Sequence, residues 1–181
     1  MKKFAIAIMM CVAAMSAKAQ VITSETVNNV YEEVSNKPNS EFAFNAEFTG
    51  KDITTMYVYK KSNGAKDMQT LKPHLKYEYA YAADGTLTSK VTYHWNDSQN
   101  NWDCESRYNY TLINDQYSVE FSRYNPIAHT FDQPIDKMVY QLFPFDSVEN
   151  VSYYRRDLTS PSYQLISQAH VTDQNRLLAE R

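Results

Sequence analysis

The sequence predicts an all-β fold: an antiparallel β-meander of repeated hairpins in a twisted sheet, with one short N-terminal α-helix. Three observations carry this prediction. Tyr77, Tyr79 and Tyr81 recur at every second residue, which in a strand places all three on one face. Ala83, Asp84 and Gly85 then supply turn chemistry, and Val91, Tyr93 and Trp95 mark a return strand. The same grammar comes back along the chain at a period of about thirty residues, the range of architectures built from one supersecondary unit.

The first segment, residues 1–19, reads as a leader. Lys2 and Lys3 precede an apolar run from Phe4 to Met15, and Ala17, Lys18 and Ala19 form an Ala-x-Ala site, so cleavage is expected between Ala19 and Gln20. A lipoprotein reading would acylate Cys11, but Met10 stands where a small residue is needed. The apolar run is too short for a membrane span, and no later stretch is apolar enough to be one. The expectation is an exported protein of the periplasm, cell surface or extracellular space, with residues 20–181 forming a single repeat-built β domain.

Within that domain, residues 24–35 have helical period. Val27, Val30, Tyr31 and Val34 lie on one stripe, Thr23 or Ser24 can cap the start, and Pro38 stops the run. A helix this short gains little alone and is expected to lie against the sheet. Hairpin units follow at about 41–75, 76–106, 107–136, 137–162 and 163–181. Their register is set by Phe42, Phe44 and Ala46, then Tyr77, Tyr79 and Tyr81, then Tyr108, Tyr110 and Leu112, then Met138, Tyr140 and Leu142. The return strand Val91, Tyr93, Trp95 is answered by Val119, Phe121 and Tyr124, with a one-residue slip that a bulge would allow. Trp102 and Phe131 close their units, with Leu71 as the upstream counterpart. Residues 177–181 are expected to form a final strand.

Composition excludes several function classes. The net charge is −3, and removal of the leader takes away three lysines and no carboxylate. Nucleic-acid affinity depends on clustered Lys and Arg that release counterions, and beyond the leader only isolated basic pairs occur, Lys60-Lys61 and Arg155-Arg156, so no nucleic-acid partner is expected. Cys104 is the one cysteine beyond the leader, which rules out an intrachain disulfide in the mature chain. Only three glycines occur, and each falls in a turn, so there is no phosphate-cradling loop.

The four histidines fall in different units without metal or nucleophile spacing. No catalytic residue, metal site or cofactor is expected, and the chain reads as a non-catalytic binding or interaction module. The alternative is a glycan-directed hydrolase with an unrecognised carboxylate site.

Tyrosine-rich strands need no ligand, since cross-strand aromatic pairs on a half-covered sheet account for them. The candidate exception is an aromatic platform for a glycan or a protein. It would be formed by Trp95, Trp102, Tyr93 and Tyr124 beside the loop from Asn96 to Asn101. Asp146-Ser147-Val148 also resembles an Asp-Ser-aliphatic O-glycosylation site, which makes Ser147 a candidate acceptor.

The order Tyr-x-Tyr-x-Tyr, Asp-Gly-x-Leu, a strand ending Trp-Asn and a closing Trp stands in Tyr77 to Trp102 and, decayed, in Tyr108 to Phe131. It resembles the secreted domain-of-unknown-function family of Bacteroides-type gut bacteria. Weaker is the similarity to the tyrosine-aspartate repeats of bacterial shell-forming toxins. The first resemblance implies a secreted, all-β, repeat-built protein, and assigns no activity.

Overall fold

The structure, a computed structural model, describes residues 21–63, 69–143, 147–157 and 162–170. The expected leader and the expected strand at 177–181 lie outside the described residues. Helix α1 (Ser24–Ser35) precedes ten strands: β1 (Phe42–Thr49), β2 (Asp52–Asn63), β3 (Gln69–Tyr81), β4 (Leu87–Asn96), β5 (Asn101–Ile113), β6 (Gln116–Asn125), β7 (Thr130–Phe131), β8 (Asp136–Phe143), β9 (Ser147–Arg156) and β10 (Tyr163–His170). The strands form one open antiparallel sheet in the order β1-β2-β3-β4-β5-β6-β8-β9-β10, and the short β7 pairs with β6 off this path. This is the meander that the turn chemistry dictates. Gly50 and Gly85 take positive φ in their turns, and Asn114 with Asp115 takes two successive positive φ values, the conformation that tight hairpins need.

Contacts divide the chain into two compact units. One holds Ile22–Tyr110 with Val119–Asp136, and the other holds Thr111–Ser118 with the described residues from Lys137 onward. In the first unit the buried core is Val27, Ile53, Met56, Val58 and Tyr77, flanked by Phe42, Phe44, Leu75, Tyr79 and Tyr81. Register explains this membership. Phe44 faces Val58, Ala46 faces Met56, and Met56 in turn faces Tyr77, so the alternating apolar positions of β1, β2 and β3 stack on one face.

Helix α1 covers that face and is held at both ends of its first turns. Thr23 and Thr26 form a capping box, with the Thr26 amide donating to Thr23 Oγ1 at 3.4 Å. The Ser24 amide donates to the Gly85 carbonyl at 2.9 Å, and Asn28 Nδ2 donates to the Lys51 carbonyl at 2.9 Å. The helix is thereby tied to the β3–β4 turn and the β1–β2 turn together. In the second unit, Tyr117 and Leu142 are buried, and the Tyr117 and Tyr140 rings meet at 6.0 Å.

Two expectations change in detail. Val91, Tyr93 and Trp95 do not face the tyrosines of β3: Tyr77 lies opposite Thr92 and Tyr79 opposite Lys90, while Val91 and Tyr93 lie opposite Glu78 and Lys76. The pleat sends the two aromatic sets to opposite faces. Leu71 does not close a unit either, since it pairs with Lys61 and is 53% exposed. Phe121 packs on Tyr108, and Tyr124, three residues on, meets Phe131.

Candidate aromatic recognition face

The face of the first unit opposite α1 carries the sequence-predicted residues. Trp95 and Trp102 sit directly across from each other at the ends of β4 and β5, with ring centroids 5.0 Å apart and planes at 70°. Tyr57 of β2 meets the Trp102 ring at 6.1 Å, although two strands lie between them, so this face is concave. All these rings are partly exposed.

Tyr93 is the centre of a polar network beside them. Its hydroxyl donates to Glu78 Oε2 at 2.7 Å, Lys76 Nζ lies 2.7 Å from Glu78 Oε1, and the same ammonium stands 4.0 Å above the Tyr93 ring. Burial pushes against ionisation of Glu78, but the hydrogen bonds from Lys76 and Tyr93 more than reverse it and hold the carboxyl below its ordinary range. Burial, followed by the bond to Glu78, raises the Tyr93 phenol. Tyr57 is raised in the same way, by burial and by its 2.9 Å hydrogen bond to Glu47. Tyr93, Glu78 and Lys76 thus hold one another in place, as Glu47 holds Tyr57.

Tyr124 belongs to a second copy of the Trp95–Trp102 arrangement. Its ring meets Phe131 at 5.4 Å and 71°, and the two residues are register partners. The loops under the two pairs are built alike. Asn96 Oδ1 accepts from the amides of Ser98 and Gln99, and Asn125 Oδ1 accepts from those of Ile127 and Ala128. Asn96 Nδ2 donates to Asp103, and Asn125 Nδ2 donates to Asp132. Asn100 and His129 both take φ 53°. The sequence signal, aromatic-Asn-x5-aromatic-Asp, was available in Trp95 to Asp103 and Tyr124 to Asp132.

A family model described as a family of unknown function, DUF3836, matches residues 1–142. The chain belongs to that family. It is similar to a solved protein of unknown function from Bacteroides fragilis, at 26% identity and TM-score 0.64, over 73% of this chain and 93% of that one. It is also similar to DUF3836 family proteins from Bacteroides vulgatus (22% identity, TM-score 0.46, 51% of this chain and 89% of that one) and Parabacteroides distasonis (15%, 0.48, 55% and 89%). No curated protein matches the chain significantly.

Other candidate groups of this DUF3836 chain are also placed by the structure. Cys104 is a free thiol opposite Tyr93, and burial, then Glu78, pushes it up, away from thiolate reactivity. Sequence spacing did not reveal that His74 and His94 come within 6.3 Å on the helix side, with His94 Nε2 at 2.9 Å from Glu105. Burial, then His94, lowers His74. Among the described residues, no group of three or more His, Cys, Asp or Glu could hold a metal ion. None of the helices among them is long and apolar enough to cross a membrane. Ser147 opens β9, while its side chain and Asp146 lie outside the described residues.

Proposed function

We propose that this DUF3836 chain is an exported, non-catalytic recognition module for a glycan or a protein, and that it binds through the concave aromatic face of its first unit. The observation that carries the reading is the edge-to-face Trp95–Trp102 pair, with Tyr57 against it and the Lys76–Glu78–Tyr93 network beside it. Rigid, partly wet rings lose little entropy on binding, and prearranged polar groups fix the orientation of what lies on them. The leader-like residues 1–19 support export.

The test is a glycan-array and pull-down screen of the purified chain, followed by the double variant Trp95→Ala with Trp102→Ala. That variant should lose the ligand and keep its far-ultraviolet spectrum. A turnover activity that disappears on Glu78→Gln would instead make the site catalytic and end this reading.

A further inference from the structure

The sheet order leaves β1 and β10 with a neighbour on one side only among the described residues. An edge strand turns half of its amides and carbonyls outward, and that row pairs with another strand unless charge, proline, a bulge or a covering element guards it. The edge at β1 is guarded. The Phe42 amide donates to Ser40 Oγ at 3.1 Å and the Ala46 amide to Asn45 Oδ1 at 3.0 Å, so neither is offered to an incoming strand. Glu47 is exposed there, a bulge follows it, and α1 packs on the same strand. The edge at β10 is open by comparison. Tyr163–His170 runs for eight residues without Lys, Arg, Asp, Glu, Pro or Gly, and every residue after Tyr163 is exposed. Among the described residues, no side chain caps an amide from Gln164 to His170. Leu165 and Ile166 are 53% and 55% exposed, beside a bulge that is the strand's one guard.

We propose that β10 pairs antiparallel with β10 of a second copy of this chain, giving a two-fold symmetric dimer. The pattern of the strand suits pairing with itself. An axis beside Ile166, near the middle of the strand, sets Ile166 against its own copy and Gln164 opposite the partner's Gln168, two amide side chains that can each donate and accept. No Lys, Arg, Asp or Glu of one strand meets its like in the other, so the pairing carries none of the repulsion that guards most edges. Closure follows from the other edge. Adding β10 of one copy to β1 of the next would build an open filament, and the capped amides and Glu47 of β1 stand against it. Assembly therefore stops at two copies. Eight paired residues make a contact below the standard size for a stable complex, so the dimer exchanges with monomer. None of the residues of the aromatic face takes part, and this inference does not rest on the recognition reading.

Sedimentation equilibrium of the purified chain tests this. Its mass should rise from one chain to two between about 1 and about 200 μM and go no further. Ile166→Lys should weaken association by at least about tenfold, and Ile166→Val should keep it. Both variants should retain the far-ultraviolet spectrum, because Ile166 is exposed in the single chain. Hydrogen exchange should find the β10 amides protected at the high concentration and open at the low one. A monomer with these amides protected at every concentration would mean that another segment of the same chain covers the strand, and the proposal would fall. It would fall equally with a monomer whose β10 amides exchange freely throughout, or with a dimer that Ile166→Lys leaves intact. Growth beyond two chains would bring β1 into the contact and refute the closed arrangement.

Discussion

Lys90 gives the sharpest energetic test of how the first unit is assembled. It stands on β4 opposite Tyr79 and Tyr108, with its ammonium 4.5 Å from the Tyr77 ring centroid and 5.8 Å from that of Tyr108. The residue as a whole is only partly buried, but its ammonium is enclosed, and burial lowers its pKa from 10.5 to about 8. A group depressed in the folded state is less protonated there than in the unfolded chain, so stability rises with pH between the two values. A displacement of this size corresponds to about 3 kcal/mol at pH 7, and cation–π attraction of about 1 kcal/mol offsets part of it, leaving a net penalty of about 2 kcal/mol.

Lys90→Met keeps the apolar stem and removes the charge. At pH 7 it should therefore stabilise the fold by about 2 kcal/mol. The wild-type chain should gain stability on going from pH 7 to pH 9, and the gain should be absent from Lys90→Met. Above about pH 10 both proteins should weaken, because Tyr77 is raised to about 12 and Tyr79 well above its ordinary value, so the unfolded chain ionises first. Urea denaturation of both proteins from pH 6 to pH 10 measures these differences. If Lys90→Met lowers the midpoint at pH 7, the ammonium is held by favourable contacts and this account of it is wrong.

Tyr79→Ala should destabilise the first unit by about 3–5 kcal/mol, the range for large aromatic truncations, whereas an unchanged urea midpoint would show a ring that contributes no packing. Gly85→Ala should destabilise by about 1 kcal/mol, read by the same denaturation, because the residue sits at φ +85° with Ser24 Oγ 3.5 Å from where the new methyl would stand. Intact-mass measurement of exported protein should show a chain beginning at Gln20, and a retained leader would contradict it. Mass spectrometry of native material should find a glycan on Ser147, and a fully unmodified peptide would dismiss that site.

Local sequence pattern made the fold legible where pattern and packing agree. The Val27–Val34 stripe, the Thr23 cap and the tyrosine alternation of β3 are each decided within a few residues, and tertiary contacts reinforce them. The sequence could not show which strands would present their rings to the same face, because that depends on pairing register across a turn. Tyr77, Tyr79, Tyr93 and Trp95 look alike as alternating aromatics, yet the β3–β4 register sets Tyr93 opposite Lys76 and sends it away from the helix.

The candidate site was legible for the same reason and to the same limit. Trp95, Trp102, Tyr93 and Tyr124 do share one face, but Tyr57 joins them from a strand far earlier in the chain, through curvature that no local pattern encodes. His74 and His94 illustrate the same gap on the other face, where residues in adjacent strands meet only because β3 carries an extra residue between Leu75 and Pro73.

The repeat accounts for how the first unit supplies both a core and an uncovered aromatic face. Each hairpin contributes alternate residues to two faces, and among the described residues only one of these faces of the first unit is covered by a helix, α1. The covered face is therefore given to packing, with Val27, Met56 and Tyr77 buried among their neighbours. The opposite face still needs its strand ends closed, and the edge-to-face pairs above the Asn96 and Asn125 turns do this twice. A ring that closes a hairpin is rigid, partly wet and repeated at the spacing of the strands. The proposed binding function would draw on those properties, with no device beyond the hairpin repeat itself.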